Sequence, residues 1–128
     1  MKNMMHSNDD CYKCCLAEYF NIPYNEIPDF FGYEIEKKLS YYEIFLRLDE
    51  WLKKRGFIRV YIPTNKVPNS SGKMKCIGFF RKKINNYDHA TILKTDNGTT
   101  WSCDDPKMDS NYEWDYLCGV EVFIPYIS

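Results

Sequence analysis

Apolar residues recur at helical spacing through the first part of the chain and at strand-like spacing through the second. Positions 11, 14, 15 and 19 fall on one helical face behind a run of cap-forming residues, Ser7-Asn8-Asp9-Asp10, so a short helix is expected to begin at residue 10 or 11. Asn21 and Pro23 end it. The following stretch, 21–32, holds Ile22-Pro23 and Ile27-Pro28 and reads as an ordered turn, because a residue before proline is pushed out of the helical region. The clearest helix is 40–55, with a Ser40/Glu43 capping box, an apolar stripe of Tyr41, Ile44, Phe45, Leu48 and Leu52, and Gly56 beyond its C-terminus. Strands are expected at 57–62, 74–80, 89–95, 99–103 and 119–124, the last stopped by Pro125. Asn97-Gly98 between the third and fourth reads as the two central residues of a type I′ hairpin turn. Helices followed by an antiparallel sheet make an α+β layout.

The chain has 128 residues without repeats or long linkers, so one domain is expected over 1–128, large enough for a core without disulfides. Net charge is −1, which argues against a dominant electrostatic mode of binding nucleic acid or an anionic membrane. Mean hydropathy is −0.53, and no apolar run approaches the ~18 residues of a spanning helix. The first eight residues hold one lysine and no apolar core, unlike a secretory signal, so a reducing cytoplasm is the expected compartment. The six cysteines are then expected as free thiols rather than disulfides. Aromatic residues make up 17 %, which supplies both core packing and surfaces for a planar ligand; Tyr12, Tyr87 and Trp101 are the candidates for stacking on one.

A thiol nucleophile needs stabilisation of its anion, an imidazole to share the proton and a group to orient the imidazole. Cys11 stands at the expected start of a helix, where unpaired N–H groups favour an anion, although Asp9 and Asp10 upstream oppose this and call for a cationic partner. The imidazoles are His6 and His89, and His89 opens a strand, the more rigid position. With Asn97 and Gly98 as the turn, Thr95 faces Thr100, Thr91 faces Asp104 and Ala90 faces Asp105, which brings a carboxylate beside His89. Alternation puts Asp104 on the face of His89 and Asp105 on the other, and a bulge before Pro106 reverses this, so both stay open. Cys11-x-x-Cys14 has zinc-ligand spacing, but the second half lacks a matching pair, and no metal is expected.

The stretch Asp10-Cys11-Tyr12-Lys13-Cys14-Cys15-Leu16-Ala17 resembles the Asp-Cys-Gly-x-Ala-Cys-Leu-Ala segment of C39-like, papain-like cysteine peptidases. His89-Ala90-Thr91-Ile92-Leu93 is similar to their His-aromatic-Val-Val strand, and Asp105-Pro106 to their Asp-Pro. Small bacterial and phage relatives of that family show a similar Asp-Cys helix leading into a proline-containing turn. The resemblance implies a papain-like fold, with Cys11 as nucleophile, His89 as base and acid, and Asp105 as orienter, Asp104 being second choice. No cofactor is implied, and the substrate is a peptide or small-molecule amide. That family also places a Gln a few residues before the Cys to stabilise the oxyanion, whereas this chain contains no Gln, leaving Asn8 as the nearest amide. Tyr12 stands where the family has Gly. The alternative implied by those departures is a catalytically inactive papain-like scaffold that binds a peptide or nucleotide-like ligand, as a phage host-defence antagonist would.

Overall fold

The computed structural model describes residues 10–67, 69–82, 87–103 and 116–126, the side chains of residues 33, 34, 82, 87 and 88 excepted. Helix α1 (Cys11–Phe20) opens when the Cys14 N–H donates to the Asp10 carbonyl at 3.0 Å. It buries Cys14, Cys15, Leu16 and Ala17, and it stops at Asn21, which takes the left-handed conformation with φ 53°. Asn tolerates that region better than most side chains because its amide bonds locally. The turn between the two Ile-Pro pairs contains one 3-10 turn, Tyr24–Glu26, and drops Ile27 into the core.

Helix α2 (Tyr33–Lys38) was not foreseen from the sequence: it is short and carries no apolar stripe long enough to reveal a period. Helix α3 (Tyr41–Lys54) is capped by Ser40, whose Oγ accepts the Glu43 N–H at 3.2 Å. The Glu43 carboxylate accepts the Ser40 hydroxyl at 3.1 Å, in place of the backbone bond that completes a capping box. Ile44, Leu48 and Leu52 are fully buried, whereas Tyr41 is 64 % exposed, so the buried stripe begins at Ile44 rather than at Tyr41. Gly56 follows with φ 88°, its N–H returning to Lys53 O at 3.0 Å, as a glycine after a helix is placed to do.

Five strands, β1 (Phe57–Pro63), β2 (Met74–Lys82), β3 (Tyr87–Thr95), β4 (Trp101–Ser102) and β5 (Tyr116–Pro125), form one antiparallel sheet in the order β1-β5-β2-β3-β4. Cys118 is an extra residue in β5, since Phe79 pairs with Gly119 and Phe80 with Leu117. On one face, α1 and α3 pack over Ile77, Ala90, Ile92 and Phe123. On the other, Cys76, Leu93, Leu117 and Val120 make a smaller cluster joined by Val67, Phe80 and Trp101. Among the described residues no helix is long and apolar enough to cross a membrane.

The hairpin between β3 and β4 departs from the expected turn. Thr95 pairs with Trp101 and Lys94 with Ser102, one residue out of the register that a two-residue turn sets. A type I′ turn needs positive φ at both central residues, and here Gly98 (φ 84°) has it while Asn97 does not. Asn97 uses its side chain instead: its Oδ1 accepts the N–H groups of Thr99 at 2.9 Å and Thr100 at 2.7 Å. The Ser70 N–H donates to Gly98 O at 3.0 Å, and a Cβ on Gly98 would collide with Ser70 O. The opposition of Asp104 and Asp105 to Thr91 and Ala90 therefore no longer follows. Asp104 and Asp105 themselves, with Asn8, lie outside the described residues.

Candidate active site

Cys11 is the first residue of α1 and is half-buried. Its Sγ accepts the backbone N–H of Ala90 at 3.5 Å. An amide that donates to a side chain in this way points away from the neighbouring strand, here β2, and β4 pairs only with Lys94 and Thr95 among the described residues. The sulfur thus meets β3 at an edge that β4 leaves open. Two bonds separate the Ala90 nitrogen from the His89 Cα, so that Cα lies within about 6 Å of the sulfur.

His89 is fully buried. Strand alternation sets it with Thr91 and Leu93, opposite Phe80, while Ala90 and Ile92 face α1. Cys11 therefore comes to β3 from the α1 side while the His89 side chain leaves the strand towards the other face. Cys11 and His89 both line a cleft of about 590 Å³, within the range of small-molecule sites. Its apolar walls include Phe31, Phe45, Tyr61 and Phe79, and Tyr41 stands at its rim.

Part of the cleft lining belongs to a polar network around the buried Glu121 that the sequence reading missed. Tyr12 donates its hydroxyl to Glu121 Oε1, and its ring stacks on Phe79 (6.0 Å between centroids) and meets Phe31 edge-on at 5.4 Å. Arg59 donates from Nη1 to Glu121 Oε2 at 3.4 Å and grips Asp49 with Nε at 3.0 Å and Nη2 at 3.5 Å. Its guanidinium lies 4.7 Å from the centre of the Phe45 ring. Burial pushes the Glu121 carboxyl above its ordinary value, against the pull of the Tyr12 and Arg59 hydrogen bonds. Burial, and then the Glu121 charge, pushes the Tyr12 phenol well up. Burial also opposes the Arg59 charge, but the hydrogen bond to Asp49 and the two carboxylates hold its guanidinium above its usual value. The signal was present: one charge stands inside each of two apolar strand runs, Phe-Ile-Arg-Val-Tyr-Ile and Gly-Val-Glu-Val-Phe-Ile.

The remaining expected residues separate. Tyr12 shapes the cleft, but its hydroxyl and ring are engaged by the protein itself. Trp101 packs with the cluster on the other face and does not line the cleft. Tyr87 lies in β3 opposite Lys82. The Asp10 carboxylate, expected to act against an anionic sulfur, accepts the Tyr24 hydroxyl at 2.6 Å; burial first, and then this bond, raises the Tyr24 phenol above its ordinary value. The cysteines are free thiols, and no group of three or more His, Cys, Asp or Glu among the described residues is placed to hold a metal. No family model, curated protein or solved structure matches the chain.

Proposed function

We propose that the protein is a papain-like cysteine hydrolase that cleaves an amide bond in a peptide or small molecule. The observation that carries this is the Ala90 N–H to Cys11 Sγ contact in a cleft that His89 also lines. In this reading His89 takes the thiol proton and the Cys11 thiolate attacks the carbonyl carbon, forming a C–S bond. The first-turn N–H groups of α1, which have no partner within the helix, meet the oxyanion in place of the missing Gln. The C–N bond then breaks as the imidazolium gives its proton to the leaving nitrogen. His89 next activates a water that attacks the thioester, releasing the acid and restoring the thiol. Asp105, with Asp104 as second choice, orients the imidazole on the strength of the sequence resemblance. The apolar walls of the cleft suit an acyl group with an apolar side chain. The thiol has to stay reduced, in keeping with a cytoplasmic setting.

The test is iodoacetamide labelling against pH with peptide mapping, followed by a screen of fluorogenic amides. Preferential modification of Cys11 near pH 6, lost in His89→Ala, together with amide hydrolysis lost in Cys11→Ser, is the expected result. Labelling of Cys11 no faster than that of Cys103 at every pH would overturn the reading.

A further inference from the structure

We infer that Tyr12 and Glu121 are positioning residues that hold the Cys11 sulfur at the edge of β3. The two helices that pack on the sheet are begun in different ways. Helix α3 has a side-chain cap, the Ser40 Oγ on the Glu43 N–H. Helix α1 has none, and one oxygen of the Asp10 carboxylate accepts the Tyr24 hydroxyl. An uncapped first turn frays readily, since its N–H groups have no helical partners. Yet that turn carries the Cys11 sulfur that accepts the Ala90 N–H.

What secures the turn is the residue next to Cys11. The Tyr12 ring is wedged between Phe31 and Phe79, and its hydroxyl ends on Glu121 in β5. The Glu121 carboxylate is itself fixed, one oxygen taking Tyr12 and the other Arg59, which Asp49 of α3 holds from behind. The first turn of α1 is therefore located by two strands, β5 through Tyr12 and β3 through Ala90. A carboxylate only 2 % exposed is costly to desolvate, and an apolar side chain of similar volume would generally serve stability as well. A polar chain in this place fixes direction, which an apolar contact does not. That this placement serves a nucleophile rests on the proposed hydrolase reading; the placement itself does not.

Amide hydrogen exchange, read by NMR on the full chain, tests the placement without reference to catalysis. Tyr12→Phe keeps the ring and removes the hydroxyl, and Glu121→Leu removes the acceptor. Both are expected to speed Ala90 amide exchange about tenfold, the upper end of what one hydrogen bond contributes, while the Cys76 amide in β2 keeps its wild-type rate. Glu121→Gln, whose amide oxygen still accepts from Tyr12, should restore Ala90 protection. In the same variants Cys11 alkylation at pH 6 should slow by a similar factor relative to Cys103, and recover in Glu121→Gln. Unchanged Ala90 exchange in Tyr12→Phe would overturn the inference. Faster exchange in the variants, with wild-type Cys11 no more reactive than Cys103, would uphold the positioning and remove the hydrolase reading instead.

Discussion

On the face of the sheet covered by α1 and α3, the buried Glu121 is met by the Tyr12 hydroxyl and by the half-buried Arg59, which Asp49 holds from the more exposed side. On the opposite face the buried polar atoms near the small cluster include short hydroxyls bonded to close neighbours. Thr91 shares a hydrogen with the Cys103 sulfur at 3.1 Å, and Thr95 accepts the Gly98 N–H at 2.9 Å. The two faces also treat a thiol differently. Cys76, closed in among Leu93, Leu117 and Val120, has its thiol pushed up to about 11 by burial. Cys11 stands half-buried at a helix start, beside a backbone donor and open to a cleft. A buried polar atom is tolerated where a partner meets it, and a thiol without one is kept neutral by its surroundings.

The largest expected effect separates the two thiols. On the proposed hydrolase reading, Cys11→Ser should lower amide hydrolysis at least about 10³-fold, as loss of a nucleophile does, while Cys76→Ala retains it. Equal losses in both variants would erase the distinction between the faces. Next comes stability, measured by urea denaturation. Arg59→Met strips Glu121 of its cation and should cost about 3 kcal/mol, the low end for breaking a buried pair, because Arg59 keeps 18 % exposure. Leu93→Ala on the other face should cost a comparable ~2–3 kcal/mol, but by leaving a cavity. A near-zero cost for Arg59→Met would mean that the network is ornamental.

The pH dependence of stability should differ between the faces as well. The folded-state pKa of Glu121 lies above its ordinary 4.5, so the stability it contributes is full below 4.5 and lost as pH rises through the higher folded value. Glu121→Gln should therefore gain on the wild type, in chemical denaturation, as pH goes from about 4 to about 8. A gain in the opposite direction would show that the ion pair outweighs desolvation. Cys76 obeys the same sign in the alkaline range: its contribution is full below 9.0 and lost as pH rises through about 11, a step that Cys76→Ala should remove. The smallest effect concerns the two helix starts. Ser40→Ala should cost about 1 kcal/mol by removing the cap of α3, with no change in Ala90 exchange at the distant start of α1.

Much of the fold was legible because its signals are local. The Ser40 cap, the Ile44-Leu48-Leu52 repeat, Gly56 after α3 and Asn21 after α1 each act within a turn or two of chain, and each is in place. The hairpin register was not legible. Asn97-Gly98 is compatible with more than one turn, and the choice was made by the Asn97 side chain and by Ser70, which lies far away in the chain. Of the candidate site, a helix-start Cys11 and a strand His89 were readable, and both line the cleft. Glu121, Arg59 and Asp49 were not paired in advance, because nothing in the chain order says which charge meets which.

By itself the sequence determined where α1 and α3 start and stop, which segments hold the strands, and that the sheet follows the helices. These depend on spacing, capping and backbone preference, which act over a few residues. The strand order β1-β5-β2-β3-β4, the seating of Cys11 against Ala90 and the Tyr12-Glu121-Arg59-Asp49 chain were decided only by tertiary structure. Each joins residues on different helices and strands. Their partners are chosen by which faces fold together and by the demand that every buried charge find an opposite one.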